Sequence, residues 1–515
     1  MTPTLPGIQL VPVAGAVPAW RAEVDAPRWR AGCEAAAGAG GRLAAFWATD
    51  DRDRRQGFGV KVLLVLYEGL VCLELRVDDA VPTYPDLSDL FACATRMQRA
   101  ACDLVGVVAK GGSDHRKWLR HGAWPEGMFP LRREFDFAGT FPSQDDQYRF
   151  VRVEGEGVHE IPVGPVHAGT IEPGHFRFSV VGEKVLRLEE RLGYKHKGIE
   201  KRFESMTLEE GARLAGRVSG DSTVAYAWAY AMALEGMTGT RLSARALYLR
   251  ALLLERERLA NHLGDLGYLG NDCALAFGFT QFWRMKEDVL RGNARWFGHR
   301  YLMDRVVPGG IACDVDGASA QALIAEALRL KDELRTLRSI YYNHTGLQDR
   351  CITTGRLAPR IASRLGVVGL AARASGHAID ARVHPGLAPY DELEPKIASH
   401  RNGDVAARIV VRFEEAFESL RLQRLILERL PEGPMRTPLG EPAEGAFGIG
   451  WIEGWRGEVF VALEAGLGGR IRRCHPHDPS WQNWPALEHA VIGNIVPDFP
   501  LINKSFNPSY AGADL

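Results

Sequence analysis

The sequence lacks the features that mark several specialised classes of protein. No two of its eight cysteines are spaced as CxxC, which argues against a zinc or iron–sulfur site formed by this chain alone. The formal net charge is −1, so charge gives no reason to expect nucleic acid as a partner. No apolar run approaches the roughly 18–20 residues that span a bilayer, and the N-terminal segment lacks the basic start of a signal peptide. These absences indicate a soluble or peripheral protein, which we expect in the cytoplasm.

The first part of the chain predicts a small α+β domain over residues 1–135. Two β-rich runs flank Tyr67, Glu68 and Gly69, and this arrangement suits a hairpin turn. The following LSDLFACATRMQRAACDL carries apolar residues at helical spacing. The chain then becomes polar and rich in turn residues, and we place a linker over residues 136–160.

The remainder, residues 161–515, predicts a larger domain with a bundle of long helices as its core. HFRFSVVGEKVLRLEE predicts an antiparallel hairpin at the edge, with its turn at Gly182. Apolar residues at three-to-four spacing predict long helices over 241–267, 279–301, 318–342 and 404–430. The last segment, 445–515, is rich in Gly, Pro and Trp and is predicted to wrap irregularly over the bundle. The predicted fold class is therefore α+β.

Four motifs of the larger domain carry a resemblance to a known family. They are GPVHAGTIEPGHFRF (164–178), GYKHKGIEKRFE (193–204), RASGHAIDARVHP (373–385) and NWPALEHAVIGNIVPDFPLINKSFNPS (483–509). They resemble the large subunit of energy-converting [NiFe] hydrogenases of the formate-hydrogenlyase or hydrogenase-4 type, and the related quinone-site subunit of respiratory complex I. More weakly, RMQRAACDLVGVV (96–108) and DHRKWLRHGAWPEGMFPLR (114–132) resemble the small hydrophilic subunit of complex I. The resemblance implies that two modules are fused in one chain.

The sequence departs from these hydrogenases at the metal site. Hydrogenases of the family bind nickel and iron through two CxxC pairs, and soft thiolates suit that role. The matching positions here are Ser219, Ser222, Ser509 and Gly512. We therefore expect no nickel–iron centre, no metal and no cofactor bound by this chain itself.

A second departure concerns the quinone. In the related protein of complex I, a tyrosine contacts the quinone headgroup, and the matching position here is Gly220. Three nearby tyrosines are candidates to replace it: Tyr194, Tyr226 and Tyr230.

The resemblance assigns six residues to a site. Glu172 matches a glutamate that passes protons to the metal, and Arg456 matches an arginine placed over the reacting ligand. His167 and His175 lie on the loop that carries a quinone-facing histidine in complex I. We assign catalytic roles to Glu172, His175 and Arg456, and a substrate or quinone cavity to His167, Arg217 and Asp221.

Asp221 lies between two of the former ligand positions and is expected to pair with Arg456, with Glu172 and His175 at the mouth of the cavity. From spacing alone, simpler interpretations stay open. Glu172 would be a solvated turn residue, the histidines would bond to backbone carbonyls, and Arg456 would lie on the surface.

Three further clusters of charged, histidine or cysteine residues give no strong indication of a functional site. Glu255, Glu257 and His262 lack the spacing that places metal ligands on one helix face. CHPHD (474–478) is predicted to be a surface loop, and KHK (195–197) a solvated basic turn.

The leading hypothesis is a subunit of a membrane-associated redox complex that couples electron transfer to ion translocation. The resemblance implies an iron–sulfur small subunit and ion-translocating membrane subunits as partners, a quinone as the possible acceptor, and NAD binding within the complex. It also implies a peripheral position on the inner face of the cell membrane. The alternative is a catalytically silent scaffold that joins a membrane arm to another enzyme. Whether the chain is itself an enzyme stays open, and an active hydrogenase is opposed by the missing cysteines.

Overall fold

The computed structural model describes residues 2–136, 138–142, 144–168 and 171–515. Phe137 and Ser143 of the predicted linker, and Gly169 and Thr170 of the first motif, lie outside the described residues. The N-terminal part is built on a sheet of order β1-β2-β5-β4-β3. Its elements are β1 (Val11–Pro12), β2 (Ala19–Val24), α1 (Ala26–Gly38), β3 (Arg42–Asp50), β4 (Phe58–Leu66), β5 (Gly69–Val77), β6 (Thr83–Pro85), α2 (Ala94–Val105) and β7 (Val108–Lys110).

The hairpin predicted around residues 67–69 is confirmed, because β4 and β5 pair antiparallel with Leu66 opposite Gly69. Alternate residues of β4 enter different hydrophobic cores. Val62 joins a core with Trp29 of α1, whereas Leu63 joins a second core with residues of the later helices. Both faces of the strand are therefore covered, which explains why it is apolar almost throughout.

A second sheet, of order β10-β9-β8, contains β8 (Val158–Val163), β9 (His175–Val181) and β10 (Lys184–Arg191). The predicted hairpin with its turn at Gly182 is confirmed. Between β7 and β8 the described residues form turns and extended chain without a helix or strand. The domain boundaries at 136–160 stay a prediction.

Long helices form the centre of the larger part, as predicted. The elements that follow are α3 (Ile199–Phe203), α4 (Leu208–Ala215), α5 (Thr223–Thr238), α6 (Ala244–Asp272), α7 (Ala276–Phe297), β11 (Val306–Val307), β12 (Gly310–Ile311), α8 (Gly317–Asn343), α9 (Thr345–Cys351), α10 (Pro359–Leu365), α11 (Gly369–Ala374), α12 (Tyr390–Leu393) and α13 (Val405–Glu428). The four predicted helices correspond to α6, α7, α8 and α13. Helix α5 is apolar on every side and is buried accordingly.

The prediction that residues 445–515 are irregular is wrong. The segment forms a sheet and helices: β13 (Phe447–Glu453), β14 (Glu458–Ala465), β15 (Ile471–His477), α14 (Ser480–Ala490), α15 (Phe499–Phe506) and α16 (Tyr510–Asp514). Its glycines have a packing role. A Cβ at Gly448 or Gly450 would overlap backbone carbonyls of α5, so these glycines allow β13 to lie directly on that helix.

The prediction of a surface loop at 474–478 is also wrong, because every residue of β15 is buried. Trp47 of β3 stacks on His475 with ring centroids 5.0 Å apart, so β15 is covered by the N-terminal sheet. The basic turn at 195–197 is half-buried rather than solvated. Its Lys197 ammonium donates to the carbonyl of Val218 at 2.8 Å.

The mixture of helices and sheets confirms the α+β fold class. Among the described residues, no helix combines the length and the apolar character that crossing a bilayer requires.

Candidate functional site

The predicted ion pair is present where the start of α5 meets the turn between β13 and β14. The Arg456 guanidinium donates to both oxygens of Asp221, at 2.8 and 2.7 Å. Arg456 is 8% exposed, whereas the Asp221 side chain is 39% exposed. Burial opposes ionisation of Asp221, but the neighbouring Arg456 outweighs it and holds the pKa of that carboxyl below its usual range. The pairing of Asp221 with Arg456 is therefore confirmed.

Other contacts fix the orientation of this pair. The Arg456 guanidinium lies 3.9 Å from the centre of the Trp455 ring and donates to the carbonyl of Asn507 at 2.6 Å. The Trp455 indole N–H donates to the backbone carbonyl of Asp221 at 3.0 Å. The turn after β13 and the C-terminal segment thus hold the arginine in one direction.

The serines at the former ligand positions bond to one another. The hydroxyls of Ser219 and Ser509 lie 2.9 Å apart, and Ser219 also donates to Asp221 at 2.8 Å. The amide of Gly512 donates to the Ser509 hydroxyl at 2.9 Å. The segments 219–222 and 509–512, which match the two CxxC pairs of the hydrogenases, are therefore joined by the hydrogen bond between the Ser219 and Ser509 hydroxyls.

Asp478 occupies the space that a side chain at the fourth ligand position would need. A Cβ built on Gly512 would overlap the Asp478 carboxylate. That carboxylate accepts a hydrogen bond from the Tyr226 hydroxyl at 2.6 Å and another from the amide of Ser480 at 2.8 Å. Sequence reasoning missed the pairing of Tyr226 with Asp478. The glycine at position 512 was the sequence signal that could have indicated it. Protein interiors are close-packed, so another side chain must occupy the volume that a ligand side chain would have filled.

These groups do not fit a nickel–iron centre. Serine hydroxyls are hard, weakly donating ligands at neutral pH, and those of Ser219 and Ser509 are already engaged with each other. The volume at position 512 holds the Asp478 carboxylate, which is itself bound by Tyr226. Across the residues that the structure describes, no group of three or more His, Cys, Asp and Glu side chains has an arrangement that would hold a metal.

Gly512→Cys is expected to destabilise the protein by about 1–3 kcal/mol, the usual cost of overpacking a filled site. The new side chain would compete with Asp478 for the same space. Adding Asp478→Gly should restore part of the loss, as a double-mutant cycle in urea unfolding would reveal. Gly38→Cys is the matched control, since an added Cβ there meets nothing within 4 Å. Additive effects of Gly512→Cys and Asp478→Gly would contradict the shared-volume interpretation.

Glu172 lies at the rim of this site, near the C-terminal helix. Its carboxylate accepts a hydrogen bond from the Ala511 amide at 3.0 Å and lies 3.6 Å from the Lys195 ammonium. The side chain is 39% exposed. Glu172 is therefore accessible to water and close to the Ser509 segment, and its catalytic role stays a prediction.

The two histidines assigned to the site, His175 at the mouth and His167 in the cavity, lie close to backbone carbonyls of residues 164–174. His175 is 3.2 Å from the Gly164 carbonyl, and His167 is 2.8 Å from that of Gly174. Burial lowers the pKa of His175. Within the described chain, neither histidine forms a hydrogen bond with Glu172 or with the Asp221–Arg456 pair. Their roles at the mouth and in the cavity stay predictions.

Arg217 points to a different partner. Its guanidinium binds both oxygens of Asp304, each at 2.6 Å, and both side chains are more than a third exposed. The structure therefore places Arg217 in a surface ion pair, and its assignment to the cavity stays a prediction.

Glu257 is a functional candidate that the sequence reasoning considered only as a metal ligand. Its carboxylate accepts hydrogen bonds from the amides of Val224 and Ala225, at 2.7 and 3.2 Å, at the first turn of α5. Burial raises the pKa of Glu257 to about 8, and the nearby Asp221 adds to the shift. Asn261 donates to the backbone carbonyls of both Glu257 and Asp221. A buried acid with a raised pKa therefore lies next to the ion pair.

Comparisons with known proteins agree with the two-part organisation. The family model described as respiratory-chain NADH dehydrogenase, 30 Kd subunit, matches residues 22–141. The model for the 49 Kd subunit of the same enzyme matches residues 272–444. Both subunit types thus occur in one chain, and the class is a fused complex I-type subunit.

Comparison with individual proteins identifies the family more closely. Formate hydrogenlyase subunit 5 of Escherichia coli (strain K12) is 30% identical over 483 residues, covering 92% of this chain and 85% of that protein. Hydrogenase-4 component G of the same organism is 30% identical over 481 residues, with 92% and 84% covered. An NADH-quinone oxidoreductase subunit from Phocaeicola vulgatus is 28% identical over 419 residues, with 77% and 80% covered. The chain belongs to the family of formate hydrogenlyase subunit 5 and hydrogenase-4 component G, which confirms the resemblance found in its motifs.

A solved structure shares the fold. A chain from the membrane-bound sulfane sulfur reductase, an archaeal respiratory membrane complex, aligns with a TM-score of 0.66 and 22% identity. The alignment covers 70% of this chain and 99% of that one.

Proposed function

We propose that this chain is a subunit of a membrane-associated redox complex in which an organic acceptor, a quinone or a related two-electron acceptor, is reduced beside the Asp221–Arg456 pair. The observation that supports this most is the pair itself. A carboxylate that is 39% exposed and an oriented guanidinium stand at the position of the lost metal ligands. A guanidinium can donate hydrogen bonds to a carbonyl oxygen on which negative charge develops.

Reduction of such an acceptor takes up two electrons and two protons. Electrons would come from iron–sulfur clusters of a partner subunit, since this chain has no CxxC motif. We assign the supply of protons to two acids, the water-accessible Glu172 and the buried Glu257, whose pKa burial raises to about 8.

We further propose that an iron–sulfur small subunit docks near the loop that carries Glu172. Val166 and Ile171 on this loop are 86% and 41% exposed, and Tyr194 close by is 39% exposed. Apolar side chains concentrated beside a site are typical of a protein interface. Ion-translocating membrane subunits complete the complex, which we place on the inner face of the cell membrane. Relatives named as membrane-bound hydrogenase and NADH-quinone oxidoreductase subunits support this assembly.

A scaffold without redox chemistry is the second candidate, and one observation favours it. Most polar groups at the former metal site are engaged with each other, Ser219 with Ser509 and Tyr226 with Asp478. The test is to isolate the complex through a tag on this chain, identify its subunits and measure reduction of a soluble ubiquinone analogue. Turnover supports the first proposal. A complete set of subunits that reduces no acceptor supports the scaffold.

Glu172→Gln is expected to lower proton-coupled turnover of the complex by about 10²-fold, the low end for general acid–base groups. The low end applies because water reaches the half-exposed carboxylate. Glu183→Gln, on the exposed turn of the β9–β10 hairpin, is the control and should leave turnover unchanged. Unaltered turnover in Glu172→Gln would remove the proposed proton role.

A further inference from the structure

A second cluster of charged side chains is buried behind the site, between α6, α11, α13 and the β13–β14 hairpin. Its carboxylates are each 2% exposed or less, and they are Glu255, Asp380, Glu415, Glu453 and Glu458. Its arginines are Arg42, Arg258, Arg373 and Arg382. We call these residues the arginine–carboxylate cluster.

Direct ion pairs connect the members of the cluster other than Arg42 and Glu458, which pair with each other. Arg373 binds Glu415 and Glu453, each at 2.7 Å. Arg382 binds Asp380 at 2.6 Å and Glu255 at 3.0 Å. Arg258 binds Glu415 at 2.8 Å, and Arg42 of β3 reaches across to pair with Glu458.

The cluster contains one more carboxylate than guanidinium groups. His262 is a titratable group in contact with the cluster, with its Nε2 3.1 Å from Glu415. Burial lowers the pKa of His262 and outweighs the opposing effect of Glu415, with Arg258 and Arg412 adding to the decrease, so the neutral imidazole is favoured. A net negative charge in a region from which water is excluded is strongly unfavourable, and a buried acid in that setting takes up a proton instead.

The geometry indicates which carboxylate carries the proton. Glu453 and Glu458 are direct cross-strand partners in the β13–β14 pairing, and like charges in that position repel. Arg373 joins Glu453 to a third carboxylate, since it lies 2.7 Å from Glu453 and 3.7 Å from Asp380.

Beyond Arg373, Glu453 has one backbone donor, the Ala381 amide at 3.2 Å, and the charge of Arg258 acts on it at longer range. Arg258 of α6 meets the backbone carbonyls of Glu453 and Gly454 rather than the carboxylate. Helix α5 faces β13 through the backbone and methyl groups of Ala225, Ala229 and Ala233. Arg373 is therefore the one guanidinium among the described residues that binds the Glu453 carboxylate, and it is shared with Glu415.

We propose that the Glu453–Glu458 carboxylate pair is a binding site for one exchangeable proton, which Glu453 carries and which neutralises the arginine–carboxylate cluster. Burial, together with the charge of Asp380, raises the pKa of Glu453 to about 7, although Arg373 opposes the shift. The proton is therefore exchangeable near neutral pH.

The β13–β14 turn links this proton site to the Asp221–Arg456 pair. Glu453 ends β13, and Trp455 and Arg456 of the same turn both bond to Asp221. A change of charge at the pair should therefore alter the proton affinity of Glu453. That this linkage couples the proton to a redox reaction rests on the proposed function. The existence of the proton site does not depend on that function.

The test is infrared spectroscopy of the isolated complex between about pH 5 and 9, a range that brackets a group titrating near neutrality. The carbonyl stretch of a protonated carboxyl group is the readout. Because Glu257 also holds a proton, the signal of Glu453 is obtained by subtracting the Glu453→Gln spectrum from that of the wild type. A carboxyl band that titrates near pH 7 in this difference is expected. Superimposable spectra would overturn the proposal. Glu428→Gln, an exposed residue at the end of α13, serves as the control that leaves the band unchanged.

Two further variants test the proposal without removing Glu453. Glu458→Gln deletes the opposing charge, so the band should persist and its midpoint should move to lower pH. An unmoved midpoint would overturn the assignment to the pair. Asp221→Asn leaves the Arg456 charge unbalanced and should also lower the midpoint, and an unmoved midpoint there would overturn the linkage alone. None of these readouts requires turnover, so failure of the proton site is distinguishable from failure of the proposed redox function.

Discussion

Arg373→Ala is expected to lower the free energy of unfolding by about 3–5 kcal/mol, the range measured when one member of a buried ion pair is removed. Arg373 is fully buried and binds Glu415 and Glu453 directly. Its loss would remove one of the two guanidinium groups that bind Glu415 and the guanidinium that binds Glu453, in a place that water does not reach. Since domains are stable by only about 5–15 kcal/mol, low soluble yield is also expected.

The measurement is urea unfolding of the purified chain, followed by tryptophan fluorescence. Arg338→Ala is the control, because Arg338 pairs with Glu414 at 2.9 Å but both side chains are about a third or more exposed. Such a pair contributes about 1 kcal/mol or less. Arg373→Lys should not rescue the protein fully, because an ammonium group cannot bind two carboxylates with the geometry of a guanidinium. Equal costs for Arg373→Ala and Arg338→Ala would refute the importance of the buried cluster.

Asp221→Ala is expected to cost about 3 kcal/mol, the low end for a broken buried pair. The reason is asymmetric burial. Arg456, which is 8% exposed, would lose its carboxylate and keep the Asn507 carbonyl and the Trp455 ring as partners. The low end applies because the Asp221 side chain is 39% exposed, and water entering the vacated space would solvate part of the stranded charge.

Asp304→Ala is the matched control for this prediction. Arg217 and Asp304 form the same two-point contact as Arg456 and Asp221, but the Arg217 side chain is 39% exposed. Its guanidinium would return to water, and a cost below about 1 kcal/mol is expected. Similar costs for the two variants in urea unfolding would show that burial of the arginine does not set the energy of the pair.

The Asp221–Arg456 pair could be predicted from sequence for a specific physical reason. Removal of a metal leaves the nearby charges without their largest partner, so neighbouring groups of opposite sign become partners for each other. Asp221 lies between Ser219 and Ser222, which match two ligand positions of the hydrogenases. The resemblance to that family placed Arg456 across the site from Asp221. Glu172 contacts the Ala511 amide and Lys195, and His167, His175 and Arg217 have partners that no motif specifies, so the roles of these four residues stay predictions.

By itself, the sequence determined the fold class, the β4–β5 and β9–β10 hairpins, the four long helices and the family. Hydrophobic periodicity and turn residues are local properties of the chain, so they can be recognised in the sequence alone. Only the tertiary structure decided the rest. β13 and β15 are buried on both faces, so their sequences lack the alternation of apolar and polar residues that would predict a strand. Asp478 is part of the site because its carboxylate occupies the volume beside Gly512. In the sequence, the charged residues of α6 resemble a solvent-exposed helix face, but in the structure α11, α13 and β13 cover them. Burial of a charge depends on elements distant in sequence, which is why the acid that carries the extra proton is visible only in the folded chain.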